Sequence, residues 1–408
     1  MIGDNFMGTK VINFIGLGYV GLPASILLQN SGYQVIGTDI NEELIYELAS
    51  GDKQFEESGM KQIYEDALFK GIKFSKNYQV ADTYIVAVPT PFLKETKKID
   101  PSYLIAAIES INEVCKPGAL IIIESTISPK TIDKFVRPIF KNKKVDLAHA
   151  PERILPGNTL YELKHNSRTV GADTKNVAEQ VKQIYQSFCM GEFMLTSIKT
   201  AEMTKVIENT FRDINIAFAN ELKEICDIEG LDVHEVIKIA NKHPRVSILS
   251  PGTGVGGHCI PVDPWFLVGD YPENTKLIKQ AREVNDNVPK QILNKTMKLL
   301  NSKYPKYKLG IYGLSYKNNV GDLRESPTIQ MYEYMNNQQK SEILFFDPLV
   351  DKNIVVNQTF DFDDFTDNVD VILVMNQHRH LFEHEKNIRK KQVILLDPVG
   401  VLEGAIHL

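Results

Sequence analysis

Short apolar runs alternate with longer helix-like segments along the first half of the chain. The apolar runs are Val11–Ile15, Gln34–Thr38, Tyr84–Val88, Leu120–Ile123, Val145–Ala148 and Thr169–Gly171. Runs of this length are typical of buried strands, and intervening segments such as Pro101–Val114 have helical periodicity. The alternation predicts β-α-β units that form a parallel, doubly wound sheet.

The alternation stops near Ser197, where one long helical segment begins. Apolar residues recur at helical spacing between Lys199 and Ile228, which predicts a long and largely buried helix. A shorter helix is predicted at Val233–Ala240, ahead of Pro244, because the residue before a proline disfavours the helical conformation.

Strand-like runs return from Lys308 onward. They are Leu309–Tyr312, Ile343–Phe346, Val371–Val374 and Val393–Leu396, with a helix predicted at Pro327–Met335. The whole pattern predicts an α/β fold class, with two Rossmann-like doubly wound domains joined by a central helical domain. We place the three domains at 1–197, 198–300 and 301–408.

Composition excludes several classes of protein. The 408 residues are 43% hydrophobic and 24% charged, which is the balance of a folded globular chain. Asp and Glu outnumber Lys and Arg by 52 to 46, and no long basic run occurs, so nucleic acid is not expected as a partner. No apolar stretch is long enough for a membrane span and no signal peptide is evident, so we expect a cytoplasmic protein.

A glycine-rich turn follows the first predicted strand. Gly16, Gly18 and Gly21 form a GxGxxG pattern, and Asp39 ends the second strand about 20 residues later. Such glycines permit a tight turn, the approach of a pyrophosphate and close helix packing, while the acid binds a ribose hydroxyl. A purely structural turn is the alternative, but strand, helix and acid stand in register for NAD. A carboxylate at this place would repel a 2′-phosphate, which favours NAD over NADP.

Three further loops follow predicted strands and carry polar residues. They contain Thr90, Glu124–Thr126 and Ala150–Arg153. Ligands bind at the carboxyl ends of the strands in such sheets. We therefore expect these loops to border one cleft.

A second glycine-rich segment, Gly252–Gly257, precedes Cys259. One interpretation is close approach of the backbone to a ligand beside a reactive thiol; the other is a tight turn that holds an inert buried cysteine. Upstream, Lys205, Asn209 and Arg212 fall on one face of the long helix, which could equally be a solvated face.

Six segments resemble, in chain order, the UDP-glucose/GDP-mannose dehydrogenase family. They are GLGYVGLP, AVPTP, EST, PERILPG, AEMTKVIENTFRDINIAFANE and GVGGHCIPVDPW. HPRV at His243–Val246, with PERILPG and FRDINIAFANE, most resembles the UDP-N-acetyl-D-mannosamine dehydrogenases of that family. The resemblance implies oxidation of the C6 alcohol of a UDP-sugar, through the aldehyde, to the carboxylate, with two NAD used per sugar. The product would supply an acidic sugar for surface polysaccharide.

The resemblance also assigns the chemistry to particular residues. Cys259 would attack the aldehyde, so that the second oxidation leaves a thioester that water hydrolyses. Lys205 would act as acid and base, or as the cation that stabilises the oxyanion, with help from Asn209.

Water activation is implied at a second group of residues. Asp263 would orient or activate the hydrolytic water, and Glu152 with Thr126 would hold a second water. The UDP-glucose branch of the family has another glutamate four residues after its PE motif, where this chain has Pro156. Hydrolysis is therefore expected to depend more strongly on Glu152.

The same resemblance implies two sets of binding contacts. NAD contacts are expected at Gly16, Gly18, Tyr19, Val20, Gly21, Asp39, Thr90, Thr126 and Arg324. UDP-sugar contacts are expected at Arg153, Ile154, Lys205, Asn209, Arg212, His243, Arg245, Gly256, Tyr316 and Lys317. In this family the segment around His243 and Arg245 reaches across a dimer, so a homodimer is expected as well.

One substrate contact departs from the family pattern. Near the C-terminus the family places Lys or Arg in an Asp-x-Lys/Arg segment, whereas this chain has Val399 two residues after Asp397. Loss of a charge-assisted hydrogen bond of roughly 1.5–3 kcal/mol would weaken substrate affinity by about one to two decades.

Other functions stay open at this stage. The sugar could be N-acetylglucosamine or glucose, because these residues do not decide the epimer. A two-electron hydroxyacid dehydrogenase shares a glycine-fingerprint domain followed by a helical domain, but it needs no cysteine loop and no third domain. If the chain were a catalytically silent NAD-binding regulator, the lysine, asparagine, cysteine and aspartate named above should have been lost. All four are present.

A histidine cluster near the C-terminus has spacing that could bind zinc. It consists of His378, His380 and His384. No carboxylate or cysteine motif joins it, and the reaction implied above needs no metal. We therefore interpret the cluster as a solvated loop and assign no metal site.

Overall fold

The computed structural model describes residues 10–55, 57–154, 157–304 and 306–408. Pro156, the position that departs from the UDP-glucose branch, lies outside the described residues. The chain folds into two compact units, 1–207 and 208–408, which are described one at a time. The boundaries of the three predicted domains stay a prediction.

The first unit is an α/β domain built on one sheet. Its described strands are β1 Val11–Ile15, β2 Gln34–Thr38, β3 Lys73–Ser75, β4 Thr83–Val86, β5 Leu120–Ile123, β6 Asp146–His149, β7 Arg168–Ala172 and β8 Phe193–Thr196. Its helices are α1 Gly21–Asn30, α2 Glu42–Ser50, α3 Met60–Phe69, α4 Ser102–Val114, α5 Thr159–His165 and α6 Lys175–Gln186, with short turns of π-helix at Ile132–Val136 and 3-10 helix at Arg137–Phe140. The strands pair in the order β3-β2-β1-β4-β5-β6-β7-β8, and the predicted strands are confirmed to within two residues.

Burial on both faces explains why these strands appear in the sequence as continuous apolar runs. Every residue of β4, β5 and β7 is buried. Helices cover both faces of a doubly wound sheet, so its central strands have no polar face and show no alternation.

The expectation of a wholly parallel sheet is wrong at one place. β6 and β7 pair antiparallel, with His149 opposite Gly171. A parallel partner would require the chain to cross back over the sheet, but among its described residues the connection carries α5, a helix of only seven residues. β7 therefore starts next to the carboxyl end of β6. Extending the pairing of His149 with Gly171 by three residues on each strand places Arg168 opposite Glu152.

The long helix α7, Ile198–Glu229, confirms the predicted helical segment. Its predicted burial is wrong along one stripe, because Phe211, Phe218 and Ile225 are 66%, 52% and 56% exposed. These residues recur every seven positions and so lie on one face of the helix. Periodicity identified an apolar face correctly, but it does not say whether this chain covers that face.

The second unit carries helices first and then a second sheet. Its helices are α8 Val233–Ala240, α9 Asp263–Asp270, α10 Lys276–Lys303, α11 Pro327–Tyr334, α12 Asn337–Glu342, α13 Phe362–Asp367, α14 Arg379–Glu383 and α15 Glu385–Lys390, with a 3-10 turn at Pro272–Asn274. Its described strands are β9 Leu309–Tyr312, β10 Leu344–Phe346, β11 Val371–Val374, β12 Ile394–Asp397 and β13 Ile406–His407. They pair in parallel in the order β10-β9-β11-β12-β13. Two α/β sheets with helices between them along the chain confirm the predicted fold class.

None of the helices in the described part of the chain combines the length and apolar character needed to cross a membrane. The expected cytoplasmic location stays a prediction.

Candidate active site

The glycine turn after β1 has two glycines that the fold needs and one that leaves space. Gly16 has a φ of +87°, and a Cβ there would lie 2.3 Å from the carbonyl oxygen of Ala87. A Cβ on Gly21 would lie 1.9 Å from the carbonyl oxygen of Gly16. At Gly18 a Cβ would meet nothing within 4 Å. This open space is where the backbone of a dinucleotide site admits the pyrophosphate.

Asp39 holds this turn from the end of β2. Its Oδ2 accepts a hydrogen bond from the Leu17 amide at 2.8 Å, and its Oδ1 accepts one from the Asn41 amide at 2.9 Å. The partly exposed carboxylate stands where ribose hydroxyls are bound in such sites. Beside the turn, the hydroxyl of Tyr19 lies 2.5 Å from Thr159 Oγ1, and Val20 is partly buried. These residues fit NAD.

We expect two glycine substitutions to separate cofactor binding from folding. Gly18→Ala places its methyl group in open space, so the free energy of unfolding without NAD should change by less than about 1 kcal/mol, while NAD affinity falls tenfold or more. Gly21→Ala forces a methyl group onto the Gly16 carbonyl and should cost roughly 1–3 kcal/mol of stability. Urea unfolding and NAD titration measure the two effects. Unchanged NAD affinity in Gly18→Ala would contradict the placement of the pyrophosphate.

Two of the three predicted loops are hydrogen-bonded to each other at the carboxyl edge of β4 and β5. The Thr90 hydroxyl donates to the carbonyl oxygen of Thr126 at 2.6 Å. The Ser125 hydroxyl donates to the carbonyl oxygen of Val88 at 2.8 Å. The structure therefore brings Thr90 and Thr126 together.

A buried ion cluster joins the second of these loops to the third. Arg168 Nη1 donates to Glu124 Oε1 at 3.1 Å, and its Nη2 donates to Glu152 Oε2. Glu152 Oε1 also accepts a hydrogen bond from the Arg153 amide at 2.5 Å. Sequence reasoning missed Arg168, although an arginine next to an apolar run was the available signal, because arginine is rarely buried without a partner.

The Arg153 side chain, a predicted substrate contact, is held within the first unit. Its guanidinium donates to the carbonyl and hydroxyl oxygens of Ser167 at 3.2 and 3.1 Å, and to Thr169 Oγ1 at 2.9 Å. Its neighbour Ile154 is partly buried. Whether either residue contacts a sugar nucleotide stays a prediction.

Lys205 and His149 are buried neighbours in the first unit. Lys205 is 7% exposed. His149 Nδ1 lies 2.9 Å from the carbonyl oxygen of Ile123; a carbonyl only accepts, so Nδ1 carries the hydrogen and Nε2 is a bare acceptor. Burial, together with the charge of Lys205, lowers the pKa of His149 to about 4 despite the hydrogen bond to Ile123. His149 is therefore neutral at physiological pH.

Replacement of His149 by glutamine is expected to reduce the loss of stability in acid. Below pH 6.5 the unfolded chain protonates this histidine while the folded chain does not until about pH 4. Each pH unit in that window then costs the folded state about 1.4 kcal/mol, and above it there is no contribution. From pH 7 to pH 5 the free energy of unfolding should fall about 2 kcal/mol further in the unchanged protein than in His149→Gln. Urea unfolding at both pH values measures this, and equal decreases would contradict it.

In the second unit, three predicted chemical residues form one hydrogen-bonded group. Asn209 Nδ2 donates to Asp263 Oδ2 at 2.6 Å, and both side chains are buried. The Asp263 amide, at the start of α9, donates to the carbonyl oxygen of Cys259 at 2.8 Å. Cys259 is exposed, whereas Cys115, Cys189 and Cys226 are buried. The interpretation of a buried cysteine is therefore wrong, and the reactivity of the Cys259 thiol stays a prediction.

The glycines before Cys259 allow close packing against the Tyr316–Glu325 segment. A Cβ on Gly256 would lie 2.5 Å from the Cβ of Tyr316 and 2.6 Å from the carbonyl oxygen of Glu325. The Gly257 amide donates to the carbonyl oxygen of Arg324 at 2.9 Å. Gly256, Tyr316 and Arg324 are thus brought together, and the guanidinium of Arg324 is paired with Asp322.

Other predicted substrate contacts lie at the surface. Arg212, His243, Arg245 and Lys317 are exposed. Their roles stay predictions. At Val399, where the family pattern has Lys or Arg, the carbonyl oxygen lies 2.8 Å from His234 Nε2.

The Ser315–Lys317 loop is fixed by a buried network that sequence reasoning missed. Asp347 Oδ2 accepts hydrogen bonds from the amides of Leu314 and Ser315 at 2.7 and 2.8 Å and from the Ser315 hydroxyl at 2.9 Å. His378 Nδ1 accepts one from the Asn319 amide at 2.8 Å. His378 is 1% exposed, so the interpretation as a solvated loop is wrong for this residue. The described residues contain no group of His, Cys, Asp and Glu that could hold a metal.

Comparison with known proteins adds a second line of observation. Three models of the UDP-glucose/GDP-mannose dehydrogenase family match: the NAD binding domain at residues 10–189, the central domain at 199–287 and the UDP binding domain at 310–404. A UDP-N-acetyl-D-mannosamine dehydrogenase of Methanococcus maripaludis is 43% identical, over 97% of this chain and 93% of the relative.

Solved structures show the same similarity. The UDP-N-acetyl-mannosamine dehydrogenase of Staphylococcus aureus is 38% identical with a TM-score of 0.87, over 98% of this chain and 97% of that one. The UDP-D-ManNAc dehydrogenase of Pyrococcus horikoshii is 34% identical with a TM-score of 0.89, over 97% of both chains.

Proposed function

This chain belongs to the UDP-glucose/GDP-mannose dehydrogenase family of NAD-dependent oxidoreductases, and from that premise we propose that it oxidises UDP-N-acetyl-D-mannosamine to UDP-N-acetyl-D-mannosaminuronate. The observation that carries the choice of sugar is the 43% identity, over nearly the whole chain, to a relative named UDP-N-acetyl-D-mannosamine dehydrogenase. UDP-N-acetylglucosamine and UDP-glucose are the alternative substrates.

The chain's own residues supply the groups for two successive oxidations. When bound, NAD accepts the hydride released in each of them. Lys205 provides a buried cation for the negative charge that develops on the C6 oxygen. The thiolate of Cys259 adds to the aldehyde carbon and forms a carbon–sulfur bond, which converts the aldehyde into a tetrahedral alkoxide that can be oxidised to a thioester.

Hydrolysis of the thioester completes the reaction. Water adds to the thioester carbonyl carbon, and the carbon–sulfur bond breaks to release the Cys259 thiolate and the sugar carboxylate. Asp263 is a suitable acceptor for a proton of that water, because Asn209 fixes one of its oxygens by a hydrogen bond of 2.6 Å. Glu152, held by Arg168 and by the Arg153 amide, is suited to hold a second water.

The stoichiometry of NADH tests the proposal. Each candidate UDP-sugar is supplied with excess NAD, and NADH formed is compared with sugar consumed. We expect two NADH per sugar and the highest kcat/KM for UDP-N-acetyl-D-mannosamine. One NADH per sugar would overturn the four-electron reaction, and a higher kcat/KM for UDP-N-acetylglucosamine or UDP-glucose would overturn the choice of substrate.

We also propose a homodimer that uses the exposed face of α7. Phe211, Phe218 and Ile225 form an apolar stripe with seven-residue spacing, and such spacing suits packing against a second helix. Phe218→Glu should convert the dimer to a monomer, as measured by light scattering after size-exclusion chromatography. Glu229→Ala, at an exposed position at the end of the same helix, is the control. A monomeric unchanged protein would contradict the proposal.

A further inference from the structure

The buried cluster of Glu124, Arg168 and Glu152 contains two carboxyl groups and one guanidinium. The side chain of Arg168 is 3% exposed, and those of Glu124 and Glu152 are 0% and 6% exposed. One guanidinium can balance the charge of one carboxylate. A second ionised carboxylate would be buried without compensation, which is unfavourable, so one of the two carboxyl groups should carry a proton.

The hydrogen bonds indicate which carboxyl group is ionised. Glu152 accepts hydrogen bonds at both oxygens, from the Arg168 guanidinium and the Arg153 amide. Both partners can only donate, so this set suits a carboxylate. Glu124 accepts from Arg168 at Oε1, whereas its buried Oε2 has neither a charged nor a backbone donor in the described part of the chain and lies beside the neutral Tyr185 hydroxyl.

Tyr185 borders both Arg168 and Glu124. The Arg168 guanidinium carbon lies 4.3 Å from the centre of the Tyr185 ring, and the buried Tyr185 hydroxyl lies beside the Glu124 carboxyl group. A phenolic hydroxyl both donates and accepts, so Tyr185 is compatible with either form of Glu124, and the charge balance with Arg168 decides between them. Burial raises the pKa of Tyr185, so its hydroxyl stays neutral.

Electrostatics agree with the geometry. Burial raises the pKa of Glu124 to about 7, with Glu152 adding to the increase and Arg168 opposing it. The thiol of Cys189 is a further titratable neighbour of Arg168. Below neutral pH the cluster therefore holds one guanidinium shared by one carboxylate and one carboxylic acid.

We propose that Arg168 and Glu124 are positioning residues for Glu152: Glu124 holds a proton, so the guanidinium is left to fix Glu152 as an ionised acceptor for water. The proposal rests on the proposed role of Glu152 in thioester hydrolysis. It also gives a function to the antiparallel β7, because that strand direction brings Arg168 to the edge where Glu152 lies.

The first test needs no turnover and so does not depend on the proposed function. Infrared difference spectra at pH 6 compare the unchanged protein with Glu124→Gln and with Tyr185→Phe, which removes the hydroxyl beside Glu124. We expect the carbonyl-stretch band of a neutral carboxylic acid to disappear in Glu124→Gln, because Arg168 then balances Glu152 alone, and to shift in frequency in Tyr185→Phe. Persistence of this band in Glu124→Gln, or an unshifted band in Tyr185→Phe, would overturn the assignment of the proton.

The second test separates the hydrolytic step from the oxidations. Glu124→Gln has the shape of the neutral acid, so its steady-state rate should stay within about threefold of the unchanged enzyme. Arg168→Lys loses the planar fork that donates to the two carboxyl groups from separate nitrogens, so acid release should slow tenfold or more while the first NADH of a single turnover forms at the normal rate. Intact-protein mass spectrometry should then show sugar bound to Cys259 as a thioester.

A matched control exists on the surface of the same unit. Arg137 also bridges two carboxylates, Asp133 and Asp173, but in an exposed position, and Arg137→Lys should change neither step. Equal slowing of both oxidations and of hydrolysis in Arg168→Lys would indicate a merely structural role and overturn the proposal. If Glu152→Gln itself leaves acid release unchanged, the proposed role of Glu152 fails, whereas the infrared result still decides the position of the proton.

Discussion

Replacement of Cys259 by serine is expected to reduce formation of the sugar carboxylate by about a thousandfold or more. A serine hydroxyl is far less acidic than a thiol and is a weak nucleophile without a dedicated base. It would add poorly to the aldehyde, and any ester formed would hydrolyse more slowly than a thioester. The remaining turnover should stop at the aldehyde or the ester, so NADH per sugar should fall below two.

The measurement is product analysis by mass spectrometry together with NADH counting. Cys226→Ser is the matched control, because Cys226 is a buried cysteine in the same unit, and its stoichiometry should stay at two NADH per sugar. Carboxylate formed by Cys259→Ser at the normal rate would show that the reaction proceeds without a covalent intermediate.

Both sheets have a turn after the first strand that is held by an aspartate, but the sequence pattern predicted only the first of these two turns. An aspartate follows the second strand of each sheet, and each accepts a hydrogen bond from the amide of a leucine in the turn after the first strand. In the first sheet Gly18 leaves open space beside the turn. In the second sheet the buried Ser315 stands at the matching position and donates to Asp347. The glycine pattern predicted the first turn, whereas the loss of that pattern concealed the second.

Local pattern was sufficient for most elements because each strand is buried on both faces and each helix repeats its apolar positions. It could not give strand direction, since an antiparallel β7 and a parallel one bury the same residues. For this reason the sequence pattern did not identify Arg168, whose role depends on the end of β6 at which the antiparallel β7 begins. His378 was misread for a related reason: its spacing resembles a metal motif, but the partners that bury it come from distant parts of the chain.

Replacement of Lys205 by methionine is expected to lower kcat between about a hundredfold and ten-thousandfold, the range for loss of an acid-base group or an oxyanion donor. Methionine has a similar length and suits a buried position, so the fold should be kept. Burying an ammonium is costly, and the nearby His149 is neutral and does not compensate its charge. Lys199→Met, on the same helix but 67% exposed at the side chain and paired with Asp133 at 3.3 Å, should leave kcat unchanged.

Lys205→Arg then distinguishes the two roles that the resemblance leaves open for this residue. Arginine keeps the positive charge but does not release its proton. If Lys205 mainly stabilises developing negative charge, Lys205→Arg should retain a kcat at least tenfold above that of Lys205→Met. If Lys205 transfers the proton of the C6 hydroxyl, both variants should be equally slow. A kcat within threefold of the unchanged enzyme for Lys205→Met would show that Lys205 takes no part in the chemistry.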